Sequence, residues 1–388
     1  MPFLSFLLIL LSGAGFLLGF AYLLRQKLAA LSKGLMLSGV LVALLLAGLW
    51  LVEVAGWERK GIYKQLMYGL ENEPLQHYIR NQGDIQETVL IMMSQSATAL
   101  RQMKDRMPED SARIAVQLSR MANYVTNHQQ FSIWKNKRNW EQQLFFLAHA
   151  SIVIGHYQSA TGDEAYNEQW TSAANFLLSG ISRSQYKHLA SRPADEALRP
   201  ADNAAALYAL KIFDDYHGTP NLAVAGEDWS EYIKRELAYE DTQLPCAGFT
   251  ATNRCRLPSV GTSLAMLTAY SASAELPIAR DFWREFRYYH KETFVNVTGW
   301  INPTSKNRDL PEFCDFSVEP LVCGRYQDEF ALQAAAVGGN WLTYYQLNNM
   351  MLLHDLFHPV NQTWERAPQE QVYSMLELAT RLAALSVP

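Results

Sequence analysis

The sequence has no excess of basic residues. Its formal net charge is −5, and its one short basic run is the Lys-Asn-Lys-Arg stretch at 135–138. We interpret this run as a solvated turn, because nucleic-acid surfaces need many lysines and arginines on one face. Nucleic acid is therefore not predicted as a partner. General disorder is excluded as well, since 49% of the residues are hydrophobic and that share supports a large core.

The sequence also lacks the short motifs of common catalytic and cofactor sites. It contains no P-loop, no dinucleotide-binding glycine fingerprint, no Gly-x-Ser-x-Gly elbow and no zincin helix, each of which has a recognisable spacing. No cofactor and no metal are predicted. The chain is instead expected to act, if it is catalytic, through its own side chains.

Cysteine is scarce, and the four that occur are spaced as two local pairs. Cys246 and Cys255 are separated by eight residues, and so are Cys314 and Cys323. Zinc sites more often show two-residue spacings with nearby histidines. Matched pairs in an exported chain predict two local disulfides, while crossed pairing and metal binding stay open as alternatives.

Charge is absent from two long stretches near the start, 3–24 and 34–52. A bilayer core takes about 20 apolar residues per helix, so both can span. A cleaved signal peptide fits less well, because no basic region precedes the first stretch and a second span follows. The linker carries Arg25, Lys27 and Lys33 without an acid, which places it in the cytoplasm. We predict a two-helix anchor (1–56) in a bacterial inner membrane, with residues 57–388 in the periplasm.

Helical runs separated by short turns fill the rest of the chain, and no alternating pattern is long enough to build a sheet. Repeated helix–turn–helix units are typical of stacked α-hairpins, in arrays or closed toroids. The predicted fold is all-α, an (α/α) barrel of about ten helices. The predicted helices cover 57–81, 85–107, 111–127, 142–160, 164–181, 202–216, 227–237, 260–274, 278–292, 326–357 (with a break at Gly338-Gly339) and 368–385.

Polar residues inside these helices are the candidates for chemistry. His149 and His156 are seven residues apart, on nearly the same helix face, and a near-neutral pKa suits proton transfer. The alternative is that both are hydrogen-bonded core histidines. Asp202 and Asn203 begin a predicted helix, so Asp202 is either a helix cap or an acid/base delivered to a central funnel.

Two further carboxylates, Asp195 and Glu196, precede that helix in a long loop. Paired carboxylates are what glycoside cleavage requires, so a glycan-cleaving site is a second possibility. The acidic and aromatic stretch 309–319, beside the second cysteine pair, is interpreted either as a lid or sugar-binding wall or as a solvated loop stiffened by its disulfide.

Two segments resemble a known family. His149-Ala150-Ser151 with Thr161-Gly162, and Asp214 with His217-Gly218-Thr219 followed by Trp229, are similar in order and spacing to the linalool dehydratase/isomerase family over roughly 139–294. The resemblance implies an (α/α) barrel, export to the periplasm, and cofactor-free acid–base chemistry on a small terpene alcohol. It also implies that His149 is the catalytic histidine. Where that family uses two cysteines, this chain has Pro193 and Asp202.

Three hypotheses follow. The first is a lyase or isomerase acting on a small alcohol or a lipid-linked substrate, with His149 and Asp202 as catalytic residues and His156 and Asn203 beside the substrate. The second is a glycan hydrolase or lyase of the cell envelope that uses two of Asp195, Glu196 and Asp202. The third is a non-catalytic scaffold within a membrane assembly, either as a homo-oligomer or with a membrane-protein partner.

Overall fold

Two long apolar helices begin the chain. The computed structural model describes residues 2–25, 28–81, 86–192, 197–305, 326–357 and 366–387. Helices α1 (Pro2–Leu24) and α2 (Ala29–Val54) pack against each other, and both are long and apolar enough to cross a membrane. Large apolar side chains such as Leu23 and Leu44 are 76% and 65% exposed. Lipid tolerates such exposure, whereas water makes it costly.

Thirteen α-helices follow within the described residues. They are α3 (Trp57–Glu71), α4 (Glu73–Asn81), α5 (Gln86–Arg106), α6 (Ser111–Val125), α7 (Leu144–Thr161), α8 (Asn167–Arg183), α9 (Pro200–His217), α10 (Asn221–Tyr232), α11 (Gly261–Ser273), α12 (Ala279–His290), α13 (Gln327–Val337), α14 (Trp341–Phe357) and α15 (Pro368–Leu385).

The helix count exceeds the number of predicted runs because two of those runs are broken. The run 57–81 is interrupted at Asn72, whose side-chain oxygen accepts a hydrogen bond from the Leu75 backbone N–H at 3.1 Å and thereby starts α4. The run 326–357 is broken at Gly338-Gly339, as predicted, and Gly339 has a φ of +66°. Gly162 and Gly218, also left-handed, end α7 and α9 at the predicted turns.

The expectation that strands are absent is corrected by two short hairpins. Residues Gly248–Phe249 pair with Cys255–Leu257, and Lys291–Phe294 pair antiparallel with Thr298–Ile301. The second hairpin shortens the helix predicted over 278–292, which ends at His290. Val295 and Asn296 both have positive φ, and such a turn joins adjacent strands instead of continuing a helix.

Six helices contact one another in cyclic order. Helix α5 packs on α7, α7 on α9, α9 on α11, α11 on α13, α13 on α15, and α15 again on α5. The helices between them along the chain lie outside: α6 packs on α7, α8 on α7 and α9, α12 on α11, and α14 on α13. Helix α3 packs on the outside of α15. An (α/α) barrel requires this neighbour order, although the barrel itself stays a prediction.

The inner helices α7 and α9 are also the most completely buried. Nearly every residue of α7 and α9 is buried, as expected for helices enclosed on all sides. Gly155 shows how closely they pack, because a Cβ there would lie 2.6 Å from the Ile212 side chain and 2.7 Å from that of Trp170. Polar side chains on these enclosed helices are therefore forced into the interior, where each needs a partner.

Candidate active site

His149 is fully buried on α7 and has one nitrogen bonded and one without a partner. Its Nδ1 lies 2.8 Å from the Ser94 hydroxyl on α5, and that hydroxyl donates its hydrogen to the Ile91 carbonyl at 2.8 Å. Nδ1 must then be the donor to Ser94, which leaves a lone pair on Nε2. Within the described part of the chain, Nε2 has no hydrogen-bond partner.

The surroundings of His149 keep it neutral. Burial lowers its pKa to about 4; the nearby Asp202 carboxylate acts in the opposite sense and the Arg192 guanidinium adds to the lowering. An imidazole with this pKa is uncharged at pH 7. His149 therefore presents a buried, unprotonated and unpaired Nε2, which is the form that accepts a proton.

Asp202 is near enough to His149 for its charge to raise the pKa of the imidazole, and it is 5% exposed. Its Oδ2 accepts a hydrogen bond from Arg192 Nη1 at 2.8 Å, while Arg192 Nε donates to Glu87. The Arg192 guanidinium also lies 4.4 Å from the centre of the Phe145 ring. The cap interpretation of Asp202 is wrong, because α9 starts two residues earlier at Pro200 and its first turn has no side-chain cap.

His156 lies two turns after His149 on α7 and, like His149, faces α5. Its Nε2 lies 3.1 Å from the Thr98 hydroxyl and 3.3 Å from the Tyr208 hydroxyl, and burial lowers its pKa to about 3. Thr98 is four residues from Ser94 on α5, so both histidines lie on one face of α7, as predicted. The hydrogen bonds of His156 are those of a core histidine.

Tyr270 on α11 was not predicted from the sequence. Its ring centre lies 6.0 Å from that of His149, and its hydroxyl oxygen accepts a hydrogen bond from Gln95 Nε2 at 3.2 Å. Burial raises the pKa of this phenol, so its hydroxyl is protonated in the resting protein. We call the residues that meet here from α5, α7, α9 and α11 the histidine network: Ser94, Gln95, Thr98, His149, His156, Tyr208 and Tyr270.

The remaining predicted site residues are distributed differently. The Asn203 side chain bonds to the backbone of Leu189 and Arg199, and these bonds use both amide hydrogens. It ties the loop before α9 to the helix. Asp195 and Glu196 lie outside the described residues, as do Pro193, Cys314, Cys323 and the stretch 309–319.

Cys246 and Cys255 are neighbours, as their spacing predicted, but they are thiols in the structure and form no disulfide. A hydrogen bond with Cys255, together with burial, raises the pKa of Cys246. The Cys246 thiol donates to the Gly248 carbonyl at 3.1 Å, and the Tyr239 hydroxyl donates to Cys255 Sγ at 2.8 Å. Hydrogen bonds thus hold this loop where a disulfide was predicted.

A second set of titratable side chains lies where α13 meets α15, and we call it the carboxylate group: Asp328, Glu329 and Glu377. Burial, together with the charges of Glu377 and Asp328, raises the pKa of Glu329 to about 8. Burial likewise raises the pKa of Asp328 to about 7, although its carboxylate accepts a hydrogen bond from the Ile301 backbone N–H. The sequence analysis did not single out this group. The available signal was Glu377, an acid between Leu376 and Leu378 in an otherwise apolar part of the last helix.

The fold and site describe a mostly helical protein with two candidate membrane-spanning helices and polar side chains enclosed by its inner helices. Within the described ranges, no three His, Cys, Asp or Glu side chains group closely enough to hold a metal ion. No known family model matches the chain, and no curated protein is similar to it.

Proposed function

We propose that this protein is a cofactor-independent acid–base enzyme of the lyase or isomerase type, with His149 as its base. Its predicted substrate is a small alcohol or a lipid-linked molecule that reaches the site from the membrane. The two apolar helices support anchoring in a bacterial inner membrane, and the basic linker supports a periplasmic location for residues 57–388. The cyclic helix order supports an (α/α) barrel around the site.

The observation that carries the proposal is the unpaired Nε2 of His149. Buried polar atoms nearly always have a partner, and an exception needs a physical reason. A substrate C–H or O–H group, or a water molecule, would supply the missing partner. The bond to Ser94 orients the ring and holds the tautomer, as is required of a positioned base.

The neighbouring groups complete a dehydration. His149 Nε2 removes a proton from the carbon next to the one bearing the hydroxyl, and the electron pair of that C–H bond becomes the new double bond. The Tyr270 hydroxyl donates its proton to the departing oxygen, which leaves as water. Asp202 stabilises the imidazolium formed on His149, because its negative charge favours the protonated ring. Proton transfer from His149 back to Tyr270 restores both groups.

The test compares the full chain with His149→Gln, both in nanodiscs, using linalool as the probe and gas chromatography to detect the dehydrated hydrocarbon and the isomerised alcohol. Loss of a general base costs about 10²–10⁴-fold in rate, while the melting temperature should move by only a few degrees. His128→Gln is the matched control, because His128 is exposed. Full activity in His149→Gln contradicts the assignment, and a collapse of its melting temperature marks His149 as a core residue.

The carboxylate group favours a second candidate, a glycan-cleaving enzyme of the cell envelope. Such enzymes need one protonated and one ionised carboxyl, and the burial and the charges of Glu377 and Asp328 that raise the pKa of Glu329 favour its protonated form. Incubation with peptidoglycan fragments, followed by mass spectrometry, tests this candidate. Fragments cleaved by the full chain but not by Glu329→Gln would replace the first proposal; intact fragments would remove the second.

A further inference from the structure

A cavity of about 370 Å³ lies on the side of α5 away from His149. Its apolar lining includes Met92, Met93 and Met121, from α5 and α6. This volume is within the range of small-molecule sites. Methionine side chains are flexible and polarizable, and they adapt to apolar groups of different shape. The floor of the cavity is therefore suited to a short hydrocarbon chain.

Two guanidinium groups line the same cavity, those of Arg80 on α4 and Arg120 on α6. Arg80 makes no ion pair with any described residue. Arg120 is near enough to Glu71 to contribute to lowering the pKa of that carboxyl, but the main cause is Arg113. Both Glu71 oxygens already accept hydrogen bonds from Arg113, at 2.6 and 2.5 Å. The cavity therefore has positive charge that its own acids do not neutralise.

Gln117 is a second, independent sign of a ligand. It is 3% exposed and lines the cavity, yet its amide makes no hydrogen bond with the described part of the chain. A buried amide normally finds partners within the protein or with water. Gln117 has both a donor and an acceptor available beside the two arginines, where the polar part of a ligand would lie.

We propose that this cavity binds a soluble amphipathic anion: a carboxylate or phosphate head with a short apolar tail. The head bonds to Arg80 and Arg120, since guanidinium groups match the oxygens of both kinds of head. Gln117 bonds to the head at its junction with the tail, and the tail lies on the methionine floor. The site is distinct from the histidine network, because Ser94 and Thr98 face the histidines while Met92 and Met93 face the cavity.

The cavity lies near the end of α3 that is farther along the chain from the membrane helices. Leu70, another lining residue, is thirteen residues after Trp57, where α3 leaves the membrane helices. At 1.5 Å per residue, this distance along α3 is about 20 Å.

Calorimetric titration of the full chain in phosphatidylcholine nanodiscs, with hexyl phosphate as the probe and empty nanodiscs as the blank, tests the site. We expect one saturable site, and at least ~10-fold weaker binding when Arg80→Gln and Arg120→Gln are combined, because a charged hydrogen bond is worth about 1.5–3 kcal/mol. The matched control combines Arg235→Gln and Arg284→Gln, which are exposed and paired with Glu236 and Glu285. Unchanged affinity in the Arg80 and Arg120 variant overturns the site.

Three further titrations define the ligand class. Inorganic phosphate should bind at least ~10-fold more weakly than hexyl phosphate, because it buries no methylene groups and each is worth about 0.8 kcal/mol. Hexanol should also bind more weakly, since it has no charge for the arginines. Equal affinity for either compound overturns the amphipathic assignment. Loss of hexyl phosphate binding in phosphatidylglycerol nanodiscs, but not in phosphatidylcholine ones, would show a lipid occupant and overturn the soluble one.

Discussion

Two buried polar regions of the fold differ in how they satisfy their polar groups. The histidine network consists of neutral groups joined by hydrogen bonds. Near α3, by contrast, an ion-pair cluster contains full charges: Arg381 bonds to Glu58 at 2.6 Å and to Asp355 at 2.6 Å, and Asn348 donates to Glu58 at 2.9 Å. The Glu58 and Arg381 side chains are only 4% and 9% exposed.

The difference shows which region can carry chemistry. A buried charge is tolerable only when a partner neutralises it. The charged groups of the ion-pair cluster are therefore bonded to one another. A neutral imidazole costs less to bury, and His149 can leave Nε2 without a partner. The ion-pair cluster is accordingly interpreted as structural, whereas the histidine network has a group available to a substrate.

The largest effect is expected from Arg381→Leu. This substitution leaves the Glu58 carboxylate buried with Asn348 alone, and breaking a buried pair costs about 3–5 kcal/mol of unfolding free energy. Denaturant unfolding of the full chain in mild detergent, followed by tryptophan fluorescence, measures it. Lys211→Leu, which removes a helix-surface pair with the exposed Asp215, should cost less than about 1 kcal/mol. Equal losses would show that the ion-pair cluster behaves as a surface pair.

Acid should weaken the histidine network next most strongly. The pKa of His149 is about 4 in the fold and 6.5 in the unfolded chain, so the unfolded state binds the proton first as pH falls. Its contribution is complete above pH 6.5 and is reduced by about 2 kcal/mol at pH 5. The difference in unfolding free energy between wild type and His149→Gln should shrink by that amount from pH 7 to pH 5. A constant difference would show that His149 is not held neutral by burial.

The carboxylate group should respond to pH with the opposite sign. Because the fold raises the pKa of Glu329 from 4.5 to about 8, stability contributed by its protonated form is lost as pH rises through this range. Glu329→Gln should therefore stabilise the protein at pH 8, where the wild-type carboxyl begins to ionise, and change its stability little at pH 4.5.

Glu275→Gln, at a side chain that is 75% exposed, is the control for that comparison and should show no such pH dependence. A Glu329→Gln effect of equal size at both pH values would indicate a change in packing rather than in protonation.

Much of the helical framework was predictable because it depends on local chemistry. Apolar periodicity indicated the helices, and Thr161-Gly162 and His217-Gly218 indicated where α7 and α9 end. The hairpin at 291–301 was missed, because its pairing depends on contacts with α14 and α13 that no local pattern records. The prediction of a Cys246–Cys255 disulfide correctly placed the two residues next to each other, but the structure shows thiols there.

The candidate site was predictable only in part. His149 and His156 were recognised because histidines in an apolar helix are conspicuous. Ser94 and Tyr270 were not, because serine and tyrosine are common in helices. Their importance comes from their contacts with His149, which join helices far apart in sequence. Asp202 was noticed for its position at a helix start, but its partner Arg192 was not.

The sequence by itself determined that the chain is helical, that its first two helices are apolar enough to span a membrane, and that two histidines share one face of α7. These properties follow from composition and from hydrophobic patterns that repeat every few residues, and each segment carries them independently of the rest of the chain. Only the tertiary structure decided that Ser94 holds one nitrogen of His149 while the other has no partner. It also placed Asp202 against Arg192 and Glu329 beside Glu377. Such pairings are made between helices, and burial there determines which groups are charged and which remain available.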